Sequence, residues 1–271
     1  MIVYELNNLR TVNVISRPSK ICKSPYVADI IIEDQIIQAH APSLGCCGLC
    51  EKDARVLVTP KKDTTKICKY TIQLSIFTEN KKQNTQLIGI NPKLAETIVE
   101  NVLKLNLFTK LKVKSFKREV KILNSRFDFV GLDEEDNSFV LEVKNVPLAD
   151  YIDCDRKERM KYNFDDKEAN EKISYFPDGY RKKKTDVISP RALKHIQELH
   201  TITKTSKTKT YICYVIQRDD IKCFQPSNID IIYKNAVKEA HQDGVQIIPL
   251  VVKWNIEGQC HFVTDELPVI I

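Results

Sequence analysis

Over the first eighty residues, hydrophobic and polar positions alternate in short, β-branched runs. Tyr26–Ile32, Gln35–Ala41, Arg55–Thr59 and Lys69–Phe77 each read as a strand between turn-forming clusters, and Leu87–Ile90 adds one more apolar run. Strands of this length and spacing predict a small sheet or barrel. The period then changes. Asn91-Pro92 sets an N-cap residue before a proline at the first helical position, and Leu94, Ile98, Val102 and Leu105 fall on one helical face. A helix is expected over 92–105, with a domain boundary near residue 85 dividing 1–85 from 86–271.

Beyond the helix, Glu119–Leu123, Phe127–Leu132 and Ser138–Lys144 read as consecutive strands, the last two joined by the acidic turn Asp133–Asn137. Residues 149–175 carry dense charge without apolar periodicity, which predicts a solvated helix or a mobile insertion. Ser189-Pro190 opens a helix over Arg191–His200, Tyr211–Gln217 is a buried strand, Ile232–Gln242 a helix, and Ile247–Trp254 a closing strand. Strand and helix alternate, so the second domain is expected to be α/β with a mixed sheet.

The sharpest chemistry lies on two of these strands. Glu142 and Lys144 share a face of one, and an antiparallel turn brings Asp128 of its neighbour opposite them. Two carboxylates beside a lysine suit Mg²⁺- or Mn²⁺-assisted phosphodiester hydrolysis. Hard oxygens hold the ion, the ion offsets charge on the phosphate, and the lysine orients water. The same spacing also describes an exposed ion pair on an edge strand. The apolar run Phe139–Val146 around Glu142 and Lys144 argues for use over decoration, because charges inserted there are costly unless paired.

Composition narrows the partners. The 42 basic and 36 acidic residues leave a formal charge of +6. Six of the twelve residues 110–121 are Lys or Arg, and Arg181–Lys184 forms a second basic run, as expected of a polyanion-binding surface. Neither GxGxxG nor GxxxxGK[ST] occurs, which removes the common glycine-loop nucleotide sites. No apolar stretch reaches the length of a membrane span, and none near the N-terminus resembles a signal peptide. Nine irregularly spaced cysteines predict free thiols in a reducing cytoplasm or nucleus, not a secreted framework. Cys46, Cys47 and Cys50 include a single CxxC pair, too little for zinc at Cys47 and Cys50, so these thiols are expected to be free and alkylatable.

Several blocks in a fixed order resemble the sugar fermentation stimulation protein family: Tyr26-Val27-Ala28-Asp29, Gly89-Ile90-Asn91, Arg126-Phe127-Asp128-Phe129, Leu141–Leu148, Phe176-Pro177-Asp178, Arg191 with Lys194-His195, and Leu267-Pro268-Val269. The resemblance implies an N-terminal OB-like β-barrel followed by a restriction-endonuclease-like PD-(D/E)xK α/β domain. It also implies DNA binding and a nuclease-type metal centre. On that basis Asp128, Glu142 and the Val143 carbonyl are the metal ligands and Lys144 the catalytic lysine, with Asp178 a further acid. Arg191, Lys194 and His195, together with Lys112, Lys114, Lys117, Arg118 and Arg126, are the candidate nucleic-acid contacts. Related nucleases often carry a helix glutamate. Here Asn101 stands at the best-aligned position, Glu100 precedes it, and Glu96 lies a turn earlier. The family's Asn-Thr-Gly-x-Met segment appears as Ser43-Leu44-Gly45-Cys46-Cys47, and the 149–175 segment departs from the compact family pattern. Two functions follow: a metal-dependent DNA nuclease, or a DNA-binding module or regulator that retains the fold without cleavage. RNA and a homodimer stay open, and no membrane partner is expected.

Overall fold

A computed structural model of the chain describes residues 1–271 apart from 45, 47, 64, 80–83, 180–182 and 184, and leaves the Arg156 side chain aside. The chain starts with β1 (Ile2–Glu5), and a barrel follows it. β2 (Arg10–Ser16), β3 (Val27–Ile32), β4 (Gln35–His40), β5 (Arg55–Pro60) and β6 (Tyr70–Glu79) pair in a ring that closes through a short parallel contact between β4 and β6. β7 (Asn84–Gly89) extends the sheet beyond β6. Val12, Val14, Ile30, Val56, Val58 and Ile72 fill the interior, as alternation along closed strands requires. Asp29 is also buried, and its carboxylate accepts from Ser16 Oγ, Ser19 Oγ and the Lys20 N–H. The Tyr-Val-Ala-Asp block thus anchors the barrel.

α1 (Pro92–Lys104) starts where Asn91 Oδ1 accepts from the Lys93 N–H at 3.1 Å, and buries Leu94, Ile98 and Val102 on one face. β8 (Val113–Ile122), β9 (Ser125–Asp133), β10 (Ser138–Val146), β13 (Lys209–Ile216), β15 (Gln246–Trp254) and β16 (Gln259–Thr264) join β1 in a seven-stranded sheet of order β1-β16-β15-β13-β10-β9-β8. β10, β13 and β15 run parallel at its centre, and the outer strands are antiparallel. α1 covers one face, while α3 (Pro190–Thr205) and α4 (Ile231–Gln242) cover the other. β11 (Ala149–Asp150), β12 (Lys172–Phe176) and β14 (Ile221–Pro226) form a small third sheet, with the one-turn helix α2 (Arg156–Arg159) between β11 and β12. The expected OB-like barrel and mixed α/β domain are both present.

Several elements differ from expectation. The first residues join the C-terminal sheet, because β1 pairs with β16. The expected strand at 119–123 is the end of the longer β8, which carries much of the basic cluster. The 149–175 segment is neither one helix nor unstructured: β11 and β12 bracket it, and the Lys172 end is buried. No helix among the described residues is long and apolar enough to cross a membrane.

Candidate active site

β9 and β10 pair from Ser138↔Leu132 to Leu141↔Phe129. One step further the ladder ends, and the Val143 N–H donates to Asp128 Oδ2 at 2.7 Å. The alternation of β9 breaks at the same point, since Phe127 packs in the core under α3 and Phe129 in the core under α1. A break of this kind re-aims a side chain. Here it leaves Asp128 half-buried at a cleft of about 520 Å³.

Glu142 and Lys144 follow the regular alternation of β10, on the face where Val140 and Val146 pack toward α3. α3 supplies His195. Its Nδ1 contacts Glu142 Oε1 and lies 3.4 Å from Lys144 Nζ, which donates to the same carboxylate oxygen. Glu142 is 2% exposed, and its other oxygen, Oε2, is buried without a hydrogen-bond partner.

The two acids are driven apart. Burial, and then the negative charge of Glu142, push Asp128 up to about 7 against the opposing Val143 N–H and Lys144. Burial would raise Glu142 too, but Lys144 and His195 outweigh it and hold that carboxyl below the ordinary value. Asp128 and Glu142 therefore fit a hard divalent cation: an orphaned buried oxygen and a carboxylate destabilised by its neighbour both gain from one. Among the described residues no three acidic, histidine or cysteine side chains form a ready-made cage, so backbone or solvent oxygens would complete the shell.

Asp178 and Arg191 line the same cleft, and Asp178 Oδ1 accepts from the Gly179 N–H at 2.6 Å. The helix acid there is Glu96. Glu100 turns aside to Lys104 and Arg118, and Asn101 donates to the Val3 carbonyl. Arg118 also reaches Glu96 at 3.2 Å, tying the basic strand to the cleft. The other candidate contacts do not line the cleft. Lys112 donates to the Asn106 carbonyl, Lys114 pairs with Asp136, Arg126 with Glu119, and Lys194 donates to the Asn124 carbonyl. Lys117 is exposed on β8. His195 is 4% exposed, so its ring meets Glu142 instead of a surface phosphate. Of the second basic run, Arg181, Lys182 and Lys184 lie outside the described residues, as does Cys47. Cys46 and Cys50 are free thiols, as expected, and both are buried in the barrel core, which limits a reagent's access to them.

The sequence pattern of the family described as "Sugar fermentation stimulation protein RE domain" matches residues 93–156 and 167–258, more than half of the chain. The chain belongs to this family. A sugar fermentation stimulation protein homolog of Clostridium novyi (strain NT) is 28% identical over 246 residues, covering 90% of each chain. The homolog of Clostridium tetani (strain Massachusetts / E88) is 26% identical over 89% of this chain and 88% of its own. The fold of this family member is similar to that in "The structure of Pyrococcus Furiosus SfsA in complex with Ca2+", with a TM-score of 0.75, 19% identity and 100% coverage of both chains.

Proposed function

We propose that this family member binds DNA and hydrolyses phosphodiester bonds at the Asp128–Glu142–Lys144 cluster, with Mg²⁺ or Mn²⁺ as cofactor. The observation that carries this reading is the buried, partnerless Oε2 of Glu142 in a cleft shared with Asp128. Asp128 and Glu142 would hold the cation with the Val143 carbonyl. When bound, such a cation neutralises charge on the scissile phosphate and acidifies a water. Lys144, which donates to Glu142 Oε1 and lines the cleft, would address the attacking water or the phosphate. His195 orients Glu142 from behind through Nδ1. Arg191, exposed on the cleft wall, suits a flanking phosphate, and the basic edge strand β8 lies beside β9, one strand from Glu142.

The test is nicking of circular plasmid DNA with Mg²⁺, Mn²⁺ or chelator, with Mn²⁺ calorimetry alongside. Wild type nicks only with metal. Glu142→Gln loses both heat and cleavage, whereas Lys144→Ala keeps the heat and loses cleavage by on the order of 100-fold. Wild-type protein that takes up no divalent ion and nicks nothing refutes the enzyme. One observation favours a second reading. Lys144 and His195 both close on Glu142 Oε1, an arrangement that also suits a module or regulator holding DNA without cutting it.

A further inference from the structure

Residues 157–166 fall between the two stretches that match the family pattern. They carry an aromatic stack. Phe164 lies near-parallel to Tyr151, with ring centroids 5.2 Å apart at 23°, and to Tyr162, 6.0 Å apart at 26°. The Arg159 guanidinium sits 4.3 Å from the Phe164 centroid and is itself fixed by Asp150 at 2.6 Å. Tyr162 is 46% exposed and Met160 beside it 72% exposed. Single side chains exposed to this degree are ordinary on a protein surface, so it is the stacking, not the exposure, that marks the segment.

One member of the stack, Arg159, borders a cleft that adjoins the candidate active site. Arg159 and Asp150 line a second cleft of about 630 Å³, which shares Leu44, Tyr175, Asp178 and Gly179 with the cleft of Asp128 and Glu142. A strand leaving the catalytic cleft past Asp178 would therefore reach Arg159, with Tyr162 and Phe164 beyond the cleft lining. Glu51, Asp150, Asp155 and Asp178 on that wall disfavour phosphates there and leave the contact to bases.

We propose that Tyr162, backed by Phe164, is a stacking platform for an unpaired base, and that the preferred polymer is single-stranded DNA or a duplex with an unpaired stretch. This rests on the nucleic-acid reading above. Charge does not explain the platform, since residues 157–167 hold Lys157, Arg159, Lys161 and Lys167 against Glu158, Asp165 and Asp166. The chemistry offered is a flat π surface with a fixed guanidinium behind it, which takes any base and cannot reach bases stacked inside a duplex.

The experiment is fluorescence anisotropy in chelator, with labelled oligothymidylate and a duplex of equal length, on wild type, Tyr162→Ala and Tyr162→Phe. Tyr162→Ala should weaken single-strand binding about tenfold while leaving duplex binding unchanged. Tyr162→Phe, which keeps the ring, should bind as wild type. The tenfold ratio should also persist as salt rises, because stacking releases no counterions. If Tyr162→Ala leaves single-strand affinity intact, or weakens both polymers equally, the platform is refuted and the nucleic-acid reading stands. If wild type binds neither polymer, the nucleic-acid reading falls and the platform falls with it.

Discussion

Asp128→Asn should flatten the pH dependence of stability between about pH 4.5 and 7. Asp128 is raised from an ordinary 3.8 to about 7 by burial and by Glu142. Below 3.8 the carboxyl is protonated whether the chain is folded or not, and it contributes no difference. Between 3.8 and 7 the unfolded chain has released this proton while the folded protein still holds it. Stability therefore falls as pH rises, by about 1.4 kcal/mol per pH unit. Above 7 the penalty levels off at about 4 kcal/mol. The asparagine carries no charge and can still accept from the Val143 N–H, so it removes the penalty without opening the strand end. Asp29, Glu142 and Asp220 are lowered, so their losses come below about 4.5, outside this window. His40, pushed down by burial and by Lys61 and Lys93, acts in the opposite sense but equally in both proteins. The readout is the difference between wild type and variant in urea denaturation from pH 4.5 to 8, in chelator. Parallel profiles would refute the account. A saturating divalent cation should remove the difference in slope, since it stabilises the ionised wild-type pair.

Two further outcomes follow from the burial of charge and of thiols. Lys172→Met should cost about 3 kcal/mol in urea denaturation, because Lys172 Nζ bridges Asp220 Oδ2 at 2.8 Å and Glu79 Oε2 at 3.0 Å in a buried network; an unchanged midpoint would mean that the network contributes nothing. Brief alkylation of the native protein, read by mass spectrometry, should label the half-buried Cys22 and Cys68 before Cys46 and Cys50, where burial pushes the Cys50 thiol up to about 12; equal labelling would contradict the packed barrel loop.

Local signals were legible and distant pairings were not. The helix expected over 92–105 is α1 at Pro92–Lys104, because its N-cap, proline and apolar stripe all lie within one segment. Asp128, Glu142 and Lys144 could be brought together because the acidic turn fixes the register of β9 and β10. β1 escaped notice because a four-residue strand has little period, and its partner β16 lies more than 250 residues away. The choice of Glu96 over Glu100 depends on how α1 is rotated against the sheet, which helical spacing leaves open. His195 carried a readable signal. Ala192, His195, Ile196 and Leu199 follow i, i+3, i+4, i+7 and all are buried, so the spacing assigns His195 to the core face, away from the basic residues of α3.

The barrel is indexed to the candidate site through the strand that carries it. One residue past Lys144, Asn145 Oδ1 accepts from Gln217 Nε2 at 2.6 Å, and Gln217 Oε1 accepts from Trp254 Nε1 at 2.9 Å. These side chains lie at the ends of β10, β13 and β15, the three parallel strands. The Gly89 N–H, at the end of the barrel's β7, donates to the Gln217 carbonyl at 3.2 Å. A Cβ on Gly89 would lie 1.8 Å from Gln217 Oε1, so a side chain there would displace Gln217 from its hydrogen bonds to Asn145 and Trp254. The buried Lys172–Asp220 pair adds a second tie, because Lys172 also holds Glu79 of β6. Sliding the barrel would break both ties at once and leave buried polar groups unpaired, a cost of several kcal/mol. The barrel is therefore held at a fixed offset from Glu142 and Lys144, and any role it has under the nuclease reading is exerted from that fixed position.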